Sequence, residues 1–435
     1  VSNQQIKPTL RIITLFWLPL AGTWLMMAAE QPVLASLIAR LESPTIHLAA
    51  FGVAYSVALI FEAPIIMILS AVTALVHDKK SYHQLFMFTL ILNGLMSVAI
   101  AVACLPTVFS WLSNELLNIP DTIKSYTHIS LIILIPWPAA IGFRRFFQGI
   151  LIVRHKTNRV AMGTIFRFLF MSTTAIFLFS MRVPGAIAGS SALAAGVVME
   201  CLATWWMARK AISTIQSLAP KENQVPLSLS SISKFYYPLA LTSFLSLGVQ
   251  PITTFFISKG RYPLESLAVL PVINGLVFIF RSLGLSFQEV AITFIHQTSE
   301  ATRQIIRFAW FLGIAVFICM TLLALTPLSL LWFEKVSGLN INLASFAIVP
   351  TQLLVLLPSL TVLISFQRAV LVTQKATGAI TIASLIELCT IVVSIWFFIT
   401  QLNWIGATAA ASAFLLGRLG ANAYLWPRVK TCLNY

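Results

Sequence analysis

Twelve stretches of about twenty or more residues, nearly free of charge, take up most of this 435-residue chain. A helix needs roughly 20 apolar residues to cross the hydrocarbon of a bilayer. A backbone in lipid must also satisfy its own hydrogen bonds, which long helices do internally. The runs predict spans near 10–38, 47–76, 82–105, 122–152, 159–181, 186–208, 231–258, 266–294, 304–326, 345–373, 376–400 and 405–427. Composition agrees: 58% of residues are hydrophobic and 9% charged, against about 25% charged in soluble domains.

The net charge of +15 and pI near 9.9 could suggest a nucleic-acid partner, but the placement of the charges points to topology instead. With the N-terminus inside, sixteen of the 28 Lys and Arg residues fall on the cytoplasmic side and six on the outer side. This is the positive-inside bias of a multi-pass protein with both termini in the cytoplasm. A bacterial inner membrane is the expected location, with lipid and a small solute as partners and no nucleic acid. A monomer is expected.

The five cysteines have no metal or redox spacing, and the six histidines form no ligand pair at helical spacing. No phosphate-binding loop or nucleophile motif occurs. The chain is therefore read as a transporter rather than an enzyme, with no cofactor, driven by a gradient of H⁺, Na⁺ or solute.

An internal repeat organises the spans. An offset of 219 residues places FWLPLAGT (16–23) on FYYPLALT (235–242) and Gln31-Pro32 on Gln250-Pro251, with 14 identities in the 46 positions from 16 to 61. The same offset carries Gln148 onto Gln367 and Lys156 onto Lys375. A repeat of six spans keeps its orientation, so the fold class expected is an all-α membrane protein: two six-helix bundles related by a pseudo-two-fold axis along the membrane normal. Residues 1–215 and 230–435 form the two lobes, and the polar stretch 216–229 is a cytoplasmic linker. Because the first helix recurs as the seventh, it is expected to be structural and retained.

The six-plus-six pattern, with a long first helix after a short basic N-terminus, resembles the multidrug/oligosaccharidyl-lipid/polysaccharide (MOP) exporter superfamily, which includes the multidrug and toxic compound extrusion (MATE) transporters. Locally, Pro19-Leu20, Glu30-Gln31, LAAFGVAYS (48–56), PLAL (238–241), FISKG (256–260) and ESLAVLP (265–271) are most similar to the progressive ankylosis family of anion exporters. The resemblance implies alternating access around a cavity between two lobes, with pyrophosphate, a nucleotide or a carboxylate as cargo. The rivals are a Na⁺- or H⁺-coupled multidrug antiporter and a lipid-linked oligosaccharide flippase. The chain's only aspartates are Asp78 and Asp121, so the membrane aspartates that couple ions in many MATE proteins are missing.

Eleven ionisable residues lie within the predicted spans, where charge is expensive and usually functional. Depths from ~1.5 Å of rise per residue pair Arg167 with Glu200 and Glu387 with Arg418, either as structural ion pairs or in contact with substrate. Glu62 and Arg281 are repeat equivalents of opposite sign; they form an inter-lobe gate or serve separate neighbours. Thr23 and Glu30 share a helical stripe; with Gln31, Gln250 and Thr253 they are coupling or cavity candidates, Glu30 leading for a proton or cation. Arg144, Arg145, Gln148, Arg281 and Gln288 are candidates for binding an anion through forked guanidinium donors, with snorkelling to headgroups as the alternative for the first two. Arg368 is expected at the interface.

Overall fold

The computed structural model describes residues 9–154, 156–218, 228–295, 299–374 and 376–433. Most of the expected linker falls on 219–227, outside the described residues, as does Lys375. Among the described residues the chain is helical throughout, apart from one isolated bridge between Arg261 and Ile405. Eleven spans among the described residues are long and apolar enough to cross a membrane. The twelfth long helix, Gly406–Leu433, is interrupted by Arg418 and by Arg428 and Lys430 near its end.

The helices form two compact units, and these do not coincide with the two repeats. The first unit, residues 37–258, contains α2 (Pro44–Glu62), α3 (Ile68–Leu75), α4 (Lys79–Ala103), α5 (Pro106–Trp111), α6 (Asp121–Ile133), α7 (Trp137–Val153), α8 (Thr157–Ser180), α9 (Gly185–Gln216), α10 (Leu229–Leu247) and α11 (Val249–Ile257). The second comprises residues 1–36 and 259–435. It contains α1 (Leu10–Ile38, up to Ser36), α12 (Pro263–Phe294), α13 (Ser299–Leu325), α14 (Leu328–Leu331), α15 (Ile341–Leu353), α16 (Leu357–Thr373), α17 (Thr377–Thr400) and α18 (Gly406–Leu433). Each repeat thus gives its first span to the unit built mainly from the other.

Matching contacts hold these two spans. In the second unit the indole of Trp17 on α1 donates to Ser286 Oγ at 2.9 Å and to the carbonyl of Leu283 at 3.4 Å. In the first, the hydroxyl of Tyr236 on α10 donates to the carbonyl of Pro64. Positions 17 and 236, and 64 and 283, are both 219 apart, so one contact is made twice.

The same matching shows that the repeat offset drifts. Left-handed residues recur at helix junctions as Ser43 and Tyr262, Asn118 and Gly338, and Arg182 and Asn403, at offsets of 219, 220 and 221. The first pair precedes Pro44 and Pro263, whose fixed φ suits the opening turn of α2 and α12. In α7 and α16 the offset is 220, which places Gln148 on Arg368 and not on Gln367. One local departure has a simple cause. Pro64 follows Glu62 and ends α2 in a run of turns, whereas Leu283 at the equivalent place leaves α12 unbroken for 32 residues.

Inner and outer helices are set apart by burial. In the most apolar windows of α4, α8 and α17, 22% of residues are buried, against 61% for α2 and α12. Trp310 and Phe311 on α13 are 67% and 71% exposed, which is acceptable where the surrounding solvent is lipid. Ordered short pieces that hydropathy alone does not reveal follow α4 and α13: α5 and α14 each lead into a π-turn, Leu112–Leu116 and Trp332–Val336, again 220 apart.

Candidate functional site

Glu200 organises the charged cluster of the first unit. Its carboxylate is fully buried on α9. It accepts from Arg144 Nη1 at 2.5 Å and from Gln148 Nε2 at 3.2 Å, both on α7, and lies 3.6 Å from Arg167 Nε on α8. Arg144 and Gln148 stand one helical turn apart, so both reach one acceptor. Arg144 therefore lies inside the unit and does not reach out towards headgroups. Arg145, its neighbour, points elsewhere: it makes no ion pair among the described residues, and its Nε is buried without an acceptor. Glu62 is buried on α2, and the cations whose fields reach it are Arg144, Arg145 and Arg167. Three arginines thus face two glutamates.

The second unit has an arginine-richer counterpart. Arg418 Nη2 on α18 pairs with Glu387 Oε1 on α17 at 2.9 Å. Arg281 on α12 and Arg368 on α16 lie within the field of that pair. Arg368 also donates weakly to Ser384 Oγ, at 3.5 Å. It therefore joins the interior cluster, because α16 turns it towards α17 and α18 and away from an interface. Three arginines here face one glutamate. The drifting offset places Arg167 on Glu387, so charge is reversed at two equivalent pairs: Glu62 with Arg281, and Arg167 with Glu387.

Two glycines let the helices approach at these charges. Gly196 on α9 and Gly417 on α18 are equivalents at offset 221. A Cβ on Gly196 would lie 2.8 Å from Met171 Cβ and 3.2 Å from the Arg167 carbonyl oxygen; on Gly417 it would lie 2.5 Å from Ile391 Cγ1 and 2.9 Å from the Glu387 oxygen. Glycine thus sets how closely α8 meets α9 and α17 meets α18.

The α1 candidates are arranged differently. Glu30 is buried and Gln31 half-buried, beside Pro32, which packs against Gly275 of α12. The Thr23 hydroxyl donates to the carbonyl of Pro19, and Thr253 on α11 donates to that of Val249. Both threonines therefore spend their proton on their own helix while an acceptor lone pair stays free. Gln250 and Gln288 are half-buried, and Glu289, beside Gln288, accepts from Trp24 on α1.

No protein-family model matches this sequence, and no curated protein does. Solved structures do, and the likeness is one of fold: the chain folds like MATE transporters of the MOP superfamily. An inward-facing multidrug resistance MATE transporter superposes with a TM-score of 0.72 at 15% identity, over 94% of this chain and 95% of that one. The lipid II flippase MurJ, in an inward closed conformation, gives 0.68 at 15%, over 97% and 87%. A MOP-superfamily transporter from Pyrococcus furiosus, described as having a binding pocket of reverse polarity, gives 0.62 at 14%, over 99% and 98%.

Proposed function

We propose that this membrane protein is a secondary active exporter of a small anionic or amphiphilic solute of the pyrophosphate, nucleotide or carboxylate kind, working by alternating access. The observation that carries the reading is the excess of arginine over glutamate in the clusters around Glu200 and Glu387. Guanidinium groups held away from water bind phosphate and carboxylate through paired N–H donors. An organic cation would be repelled by both clusters. The buried carboxylate of Glu30 favours one second reading, H⁺- or Na⁺-coupled multidrug efflux, because it is an acid on a proline-bearing helix and could exchange a proton or cation. In either reading the protein acts as a monomer in an inner membrane with its termini in the cytoplasm.

Purified protein in liposomes, offered labelled pyrophosphate, citrate and a cationic dye with and without a pH gradient, tests the proposal. Anion uptake is the expected result; dye movement without anion movement would sink it in favour of drug efflux.

A further inference from the structure

We infer that Arg281, Arg368 and Arg418, with Glu387 as their fixed counter-ion, form a binding site for a multiply charged oxyanion within the 259–435 unit. Several observations converge. All four groups lie within one another's fields, on four different helices. Among the described residues only Arg418 of the three has a carboxylate partner, at 2.9 Å. The Nε atoms of Arg281, Arg368 and Arg418 are all buried without an acceptor, and the side chain of Arg418 is only 9% exposed.

Donors buried in this way are costly when unfilled, and charge buried without compensation is costlier. Three guanidiniums beside one carboxylate leave two positive charges in excess, and a dianion with several oxygens supplies both the missing charge and the missing acceptors. Position supports the assignment. Arg281 and Arg418 are both about 18–27 Å from either end of their helices by helical rise, near mid-membrane, where a bulk counter-ion is scarce.

The comparison with the other unit sharpens the inference. There Glu200 takes Arg144, Gln148 and Arg167 directly, and Glu62 adds a second negative charge. Arginine donors remain unfilled in that cluster too, at Arg144 Nε and Arg145 Nε, but its charge is nearly balanced. The second cluster sets the same number of arginines, three, against one glutamate where the first has two, and that extra positive charge tips it towards an anion.

The inference rests on the anion-export reading for its cargo, yet it is tested by binding alone. Full-length protein in phosphatidylcholine nanodiscs is titrated with pyrophosphate and with citrate by calorimetry. Either anion should bind the wild type. Arg281→Gln and Arg368→Gln, neither of which breaks an ion pair, should each weaken that binding tenfold or more. Arg281→Lys should recover part of it, and Arg303→Gln, at an exposed helix start, should leave it unchanged. Wild-type protein that binds neither anion, or Gln variants that bind as well as wild type, overturns the site. Phosphatidylglycerol nanodiscs separate the sources of phosphate: competition by that lipid upholds the site and makes a headgroup its occupant. Binding that depends on Arg281 and Arg368 without uptake into liposomes would leave the site standing and remove the exporter.

Discussion

Glu200→Ala should abolish most of the folded protein, because it strips three donors of one acceptor. Arg144 and Arg167 would be left charged and buried, and removing one partner of a buried ion pair costs about 3–5 kcal/mol. Gln148 would lose its acceptor as well. Glu387→Ala should be milder: that side chain is 15% exposed where Glu200 is 0%, and one arginine pairs with it directly where Glu200 has two. Thermal unfolding in detergent, with the yield of monodisperse protein, measures both variants. Equal stability for Glu200→Ala and wild type would show that the cluster is solvated and not an organising centre.

Gly417→Ala should destabilise by about 1–3 kcal/mol, the usual range for overpacking, although alanine is the better helix former. Its Cβ would meet Ile391 Cγ1 at 2.5 Å and the Glu387 carbonyl oxygen at 2.9 Å. Ile391 is β-branched and stiff, and the other obstacle is backbone, so α17 and α18 must part and stretch the Arg418–Glu387 pair. Gly196→Ala meets looser contacts and should cost less. Gly94→Ala, which meets nothing within 4 Å, should be neutral or stabilising by up to ~1 kcal/mol through helix propensity. The same thermal unfolding series ranks all three. A Gly417→Ala protein as stable as Gly94→Ala would mean that the close approach carries no energy.

The spans were legible because lipid sets a length for them: α1 and α12 reach into the expected ranges almost residue for residue. The break that Pro64 makes after Glu62 was not read, since the expected span 47–76 ran straight through it. The π-turns were not legible, because Leu112–Leu116 and Trp332–Val336 differ from a helix by one backbone register and carry no distinctive side chain. In the charged clusters, depth along a helix could be counted, so Arg167 near Glu200 and Glu387 near Arg418 followed from rise alone. Lateral position could not be counted. Hence the reach of Arg144 and Gln148 to Glu200 was hidden, as was the inward turn of Arg368. The equivalence of Arg167 with Glu387 was hidden by a single-residue drift in the repeat.

The matched contacts of Trp17 and Tyr236 bear on the order of synthesis. Trp17 on α1 finds its partners, Leu283 and Ser286, only once the chain 266 and 269 residues further on has been made. The 37–258 unit closes sooner, when Tyr236 reaches Pro64. α1 therefore waits for α12 to be made before these two bonds can form, whereas α10 meets a partner that already exists.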